Sequence, residues 1–145
     1  MVELLVTIAI ATILTTIAVP SFSGLIASQR AKTAASELFA SFLAARSDAI
    51  ALNANVTISP QAGGWNQGWQ IQGPGAVLES HGAVPGVAIT TTPPLSSVTY
   101  RPSGRVLTGS AASLLVTTKS GSTTNYQCIS LNLSGRPSQQ AVNAC

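Results

Sequence analysis

Glu3-Leu4-Leu5-Val6-Thr7-Ile8-Ala9-Ile10-Ala11-Thr12-Ile13-Leu14-Thr15-Thr16-Ile17-Ala18-Val19-Pro20 decides the fold. No charged residue follows Glu3 until Arg30, and Leu4 to Val19 is apolar apart from four threonines. Thr7, Thr12, Thr15 and Thr16 can return their hydroxyls to carbonyls of the preceding turn, so they do not forbid burial in lipid. The run spans about 24 Å at roughly 1.5 Å per residue, short of the roughly 20 residues that cross a bilayer core. The uncharged segment up to Gln29 makes up the difference. A secretory signal peptide fails on its flanks, with no basic segment ahead of the run and no small-x-small cleavage site after it. Glu3 stands out, because a carboxylate at the head of a lipid-buried helix costs several kcal/mol unless paired. The plainer account of Glu3 is an acid complementing the helix dipole in the first turn.

Beyond Pro20 and Gly24 the helical pattern resumes. Ala31, Ala34, Ala35, Leu38, Phe42, Ala45, Ala49 and Leu52 recur every three or four residues, while Arg30, Lys32, Glu37, Arg46 and Asp48 take other positions. Residues 3 to 52 therefore read as one helix of about 75 Å, with a bend or local melting expected at Pro20, which lacks the amide donor. Residues 1–26 form the half buried in lipid or in other copies of the segment. Residues 27–145 form one globular domain that begins with the amphipathic half.

From Asn53 the pattern changes to short β-rich runs punctuated by Gly, Pro and Ser. Strands are expected at Val56 to Ser59, Trp69 to Gln72, Val77 to Glu79, Val87 to Thr91, Val98 to Tyr100, Leu114 to Thr118 and Tyr126 to Leu133, the last two as a hairpin. No helices separate them as parallel crossovers would require, so an antiparallel sheet packed on the exposed half of the long helix is the architecture allowed. The fold class is α+β.

Composition bounds the function. The 145 residues suffice for one domain, and charged residues make up only 8% against 46% hydrophobic ones. Polarity comes from 18 Ser and 15 Thr, which suits strands and an extracytoplasmic setting. The net charge of +3 is too small for a dedicated nucleic-acid binder, but its distribution is uneven. No acid follows Glu79, whereas Arg101, Arg105, Lys119 and Arg136 all do. Cys128 and Cys145 are the only cysteines, and a pair ending on the last residue reads as a disulfide that ties down a chain end in an oxidising compartment.

Catalysis has little to work with. Glu79-Ser80-His81-Gly82 puts three catalytic residue types in a row around the single histidine, too close in sequence to make a triad by that fact, and reads as a solvated turn. There is no carboxylate pair, His/Cys metal cluster, phosphate-cradling loop or GxSxG elbow, so no enzyme, cofactor, metal or small-molecule substrate is expected. Trp65 and Trp69 could form an exposed aromatic platform, but alternating apolar positions favour core packing.

Glu3, the unbroken apolar run and Val19-Pro20-Ser21-Phe22 resemble the N-terminal helix shared by type IV pilins and type II secretion pseudopilins. Glu3 and Pro20 match the glutamate and proline of that helix. The family's leader, its terminal glycine and its first mature residues have no counterpart here, so the peptidase cleavage site and the methylated residue are not placed. Nearly the whole chain is similar to the GspH/FimT minor pseudopilins. The matching stretches are Ala44-Ala45-Arg46-Ser47-Asp48-Ala49-Ile50, Asn55-Val56-Thr57-Ile58, Trp65-Asn66-Gln67-Gly68-Trp69 and Tyr100-Arg101-Pro102-Ser103-Gly104-Arg105, closing on Cys128, Ser134-Gly135-Arg136-Pro137 and Cys145.

The resemblance implies a type IV pilin-like fold and a subunit anchored by a single pass in a bacterial inner membrane, its domain periplasmic. It implies other pilin or pseudopilin subunits as partners through the N-terminal helix, with Glu3 pairing with the N-terminal amine of an adjacent subunit. Some FimT-type members bind DNA for uptake through a basic C-terminal Gly-Arg-x-Arg motif. Here Gly135-Arg136 supplies the first half and Ser138 stands where the second arginine would be. Double-stranded DNA is therefore an alternative partner, with Arg136, Lys119, Arg101 and Arg105 as its candidate contacts. The competing role for Arg136 is pairing with Asp48, Glu79 or a carbonyl to hold the tail.

Overall fold

The computed structural model describes the backbone of residues 1–107 and 111–145, and their side chains except those of residues 16–21. The chain opens with a 50-residue helix, α1 (Val2–Ala51). α1 runs through Pro20 as one helix, so the local melting expected there does not occur; the side chains of Thr16 and Pro20 lie outside those described. At its other end α1 stops where Asn53 takes the left-handed conformation (φ 48°). Asn53 N–H then donates to Ile50 O (3.2 Å) and Ala54 N–H to Ala49 O (3.2 Å), which satisfies two carbonyls the last turn would leave without partners.

Two four-stranded antiparallel sheets follow, where the sequence pattern suggested one. The first comprises β1 (Val56–Pro60), β2 (Gly68–Gln72), β3 (Val77–Gly82) and β5 (Val98–Tyr100), in the order β3-β2-β1-β5. The second comprises β4 (Val87–Thr92), β6 (Ala112–Ser120), β7 (Thr123–Leu131) and β8 (Pro137–Gln140), in the order β4-β6-β7-β8. Strand order splits them: β5 returns to pair with β1, while β4 pairs with β6. A short 3-10 helix, Trp65–Gln67, sits between β1 and β2.

Several boundaries differ from expectation, β6 and β7 beginning earlier, at Ala112 and Thr123. β3 continues through His81 to Gly82, because Trp69 lies opposite His81 and their rings stack at 5.2 Å, so the Glu79–Gly82 stretch is strand rather than turn. β7 ends at Leu131, because the Asn132 side chain captures the backbone N–H of Arg136 (3.1 Å) and starts a turn. β8 was not anticipated; it pairs Pro137 to Gln140 with β7.

The core lies between α1 and the sheets. Ala31, Ala34, Ala35, Leu38, Phe42, Ala45 and Ala49 are all buried, against Val56, Ile58, Ile71, Val98, Leu114, Val116, Ile129 and others. Five alanines in that stripe keep the helix backbone close to the strands. Leu52 breaks the expected pattern: it caps the helix and remains exposed. Both tryptophans are core. Trp69 Nε1 donates to Ser41 Oγ (2.9 Å), whose hydroxyl donates in turn to Glu37 O (3.0 Å), and Trp65 Nε1 donates to Leu95 O (2.8 Å). No polar cost is therefore attached to burying either indole.

Candidate assembly helix and basic end of the domain

The first half of α1 is exposed along every described side chain from Val2 to Thr15. Val2, Leu4, Leu5, Val6, Ile8, Ile10, Ile13 and Leu14 are all exposed, and Phe22, Leu25 and Ile26 continue the apolar surface up to the domain. Its polarity is satisfied internally. Thr7 Oγ1 donates to Leu4 O (2.9 Å), Thr12 Oγ1 to Ile8 O (2.8 Å) and Thr15 Oγ1 to Ala11 O (3.0 Å). Glu3 lies in the first turn, and among the described residues it makes no ion pair. Among the described residues no helix is long and apolar enough to cross a membrane.

Where the helix meets the domain, Thr118 Oγ1 donates to Ala27 O (2.8 Å) and Ser120 Oγ to Ser23 Oγ (3.1 Å). The far end of β6 is thus fastened to the point where burial begins. Lys119 lies here, exposed.

Arg101, Arg105 and Arg136 lie at the other end. Arg101 and Arg105 flank a turn closed by Gly104 N–H to Arg101 O (2.8 Å) and Arg101 N–H to Arg105 O (2.9 Å). Arg136 follows a second turn, closed by Gly135 N–H to Asn132 O (2.9 Å). The turns meet glycine to glycine. A Cβ on Gly135 would overlap the Gly104 carbonyl oxygen and come within 3.1 Å of the Tyr100 ring, and Gly135 has φ 80° besides. Arg46, from the buried side of the helix end, donates through Nε to the same Gly104 oxygen (2.9 Å). Beneath them lies the Tyr100 phenol, which has no hydrogen-bond partner among the described residues and whose pKa burial pushes far above its ordinary value, so it stays neutral.

The structure therefore brings together three of the four candidate cations. Lys119 faces Thr124 across the hairpin while Pro137 faces Leu131, and seven residues of strand separate those positions, about 23 Å. Proximity in sequence misplaced Lys119, because a strand carries its two ends to opposite poles of the domain. The Arg136 guanidinium takes no hydrogen bond or ion pair among the described residues, so neither Asp48 nor Glu79 holds it; the described ion pair is Glu79 with His81 (2.9 Å). Cys128 and Cys145 are joined by a disulfide, Cα to Cα 5.6 Å, which closes the loop that contains Arg136 and β8. Among the described residues no group of His, Cys, Asp or Glu side chains could hold a metal ion.

Residues 34–135, covering most of the amphipathic half of α1 and the strands β1 to β7, match the family GspH, described as type II transport protein GspH. The chain belongs to that family. Solved structures share the fold. The type IV minor pilin FimU of Pseudomonas aeruginosa superposes with a TM-score of 0.66 at 20% identity, covering 79% of this GspH-family chain and 98% of FimU. The minor pseudopilin EpsH, from the type 2 secretion system of Vibrio cholerae, gives 0.60 at 12% identity, covering 79% of this chain and 99% of EpsH. No curated protein matches the GspH-family chain in sequence. The match begins at residue 34, so the exposed apolar half of α1 lies ahead of it.

Proposed function

We propose that this GspH-family chain is a low-abundance subunit that inserts the first half of α1 into a type IV pilus or type II secretion pseudopilus and helps to start or cap the assembly. One observation carries this reading: a single helix is buried against its own domain on one side of residue 27 and, among its described residues, presents mostly exposed apolar side chains on the other. Such a surface demands an apolar environment. Before assembly the inner membrane supplies it, with the disulfide-bonded domain on the periplasmic side. In the assembly, packed helices of other subunits supply it. Glu3 is neutralised there by the N-terminal amine of the adjacent subunit, which sets axial register, since an unpaired carboxylate in that environment is costly. The test is Glu3→Ala: the protein remains in the membrane fraction but is lost from sheared filaments. Normal incorporation of the variant rejects the reading.

A second reading is favoured by the arginine group. Arg101, Arg105 and Arg136 are exposed on two turns locked glycine to glycine, without an acidic partner among the described residues. Such a surface suits phosphate oxygens, and a few phosphate contacts would give weak, sequence-independent, salt-sensitive binding to double-stranded DNA. In a mobility-shift titration of the detergent-solubilised chain, this reading requires a shift that weakens with salt and largely disappears in Arg136→Ala. No shift at low salt leaves the assembly role alone.

A further inference from the structure

Arg46 reaches from the last turns of α1 to the turn that carries Arg101 and Arg105, where its Nε donates to Gly104 O (2.9 Å). Gly104 is also seated on the helix end: a Cβ there would come within 2.9 Å of Ile50 Cδ1 and 3.1 Å of Arg46 Nε, and its φ of 71° suits glycine. Ile50 lies four residues beyond Arg46, so one face of the helix makes both contacts. Gly104 and Gly135 are buried, while Arg101, Arg105 and Arg136 beside them are exposed. Arg46 is half-buried behind the two glycines and makes no ion pair among the described residues.

The Gly104 oxygen meets two neighbours at once. One is the Arg46 Nε–H; the other is the Gly135 backbone, so close that a Cβ on Gly135 would overlap it. Among the described residues that oxygen accepts no other hydrogen bond. A buried carbonyl without its donor bears the full desolvation of the group, so without Arg46 the peptide would turn toward water and take away the surface on which Gly135 rests. A guanidinium donor is charge-assisted and planar, which fixes the direction of the carbonyl as well as its place. Arg105 and Arg136 each follow one of the two glycines directly, and Arg101 closes the Gly104 turn through its own N–H and carbonyl. The spacing of all three therefore depends on this one oxygen.

We propose that Arg46 is the positioning residue of the arginine surface: from the end of α1 it holds the Gly104 carbonyl against Gly135 and so sets Arg101, Arg105 and Arg136 as one phosphate-binding group, without contacting a phosphate itself. The inference rests on the DNA reading and names the residue that orders that site. Three arginines on two loosely joined turns would have to be ordered at every encounter, and that ordering would be subtracted from the binding. Fastened to the helix, they are ordered beforehand.

Two substitutions separate positioning from contact. Gln places an amide donor where Arg has Nε but carries no charge, whereas Lys keeps the charge and has a methylene at that place. Binding of the full-length, detergent-solubilised chain to a short labelled DNA duplex is titrated over a range of salt, with the urea midpoint of each variant measured alongside. Arg46→Gln should bind within about threefold of the parent and keep its salt slope, whereas Arg46→Lys, at unchanged net charge, should bind about tenfold or more weakly and lose about one from the slope of log K against log salt, as for a lost phosphate contact. Gly135→Ala should give the same loss, and adding Arg46→Lys to it should weaken binding little further, because both break one contact. A folded Arg46→Gln chain that has lost the slope overturns the inference, even if Arg46→Lys fails to fold. Full binding by Arg46→Lys overturns it too, because the charge and not the donor is then what counts. If the parent binds and Arg136→Ala does not, either of those results removes the role of Arg46 and leaves the DNA reading standing. If the parent shows no shift at low salt, the DNA reading falls and the role of Arg46 falls with it.

Discussion

The two halves of α1 are both rich in aliphatic residues, yet they end up in opposite environments. Leu38 and Phe42 are fully buried, whereas Leu5 and Leu14 keep more than half their surface exposed, at 66% and 61%. The difference lies in what interrupts the apolar residues. In the second half Arg30, Lys32, Glu37 and Arg46 restrict them to a stripe, and a stripe can be covered by one sheet face. In the first half apolar residues go all round, so one domain packed on one side could never cover them. Hydrophobicity alone does not tell core from interface; its angular distribution does.

The sharpest way to break this comparison is to truncate one leucine from each half. Leu38→Ala removes a fully buried side chain in contact with the sheets and should cost the domain about 3 kcal/mol in urea unfolding, while Leu5→Ala should leave the domain within about 0.5 kcal/mol of the parent. A similar loss in both would mean that the first half belongs to the domain after all.

Breaking the disulfide probes the opposite end. Replacing Cys128 and Cys145 together by Ser opens a loop with a sequence separation of 17, worth about 3 kcal/mol in the chain-entropy model. It should also raise hydrogen exchange in β8 and around Arg136 while leaving α1 protected. Exchange spread evenly through the domain would show that the tail is not a separately pinned unit.

How legible this was in the sequence follows the same contrast. The long helix, its buried stripe and β1 to β7 are periodic, and period shows in the residues themselves. β8 is not: Pro137-Ser138-Gln139-Gln140 has no apolar alternation and is held as an edge strand by β7 and the disulfide. The division into two sheets depends on β5 returning to β1, a pairing between residues forty or more positions apart that leaves no local trace. The arginine group was half legible. Ser103-Gly104-Arg105 and Ser134-Gly135-Arg136 repeat the same three residues, but only the fold shows that their glycines touch. Lys119 was grouped with them by sequence and is about a strand's length away.

Gly135→Ala sharpens that part of the account. Its new methyl meets the Gly104 carbonyl at a positive φ, so the variant should lose about 2 kcal/mol and move Arg136 away from Arg101 and Arg105. Unchanged stability would show that the two turns do not need close contact. The smallest expected effect is Ser41→Ala, about 1 kcal/mol, because the Trp69 indole N–H loses its acceptor in a buried site. A quenched or shifted Trp69 fluorescence, read in a variant with Trp65→Phe, would report the change.

The claim beneath all of these is that residues 1–26 contribute little to folding the domain and are required for assembly. It is met most directly by exporting the chain from residue 27 onward to the periplasm and measuring, in one preparation, its urea midpoint and its presence in the sheared filament fraction. The account predicts a disulfide-bonded domain whose midpoint matches that of the full chain and which is missing from filaments. A domain that unfolds at markedly lower urea, or one that still enters filaments, would contradict it.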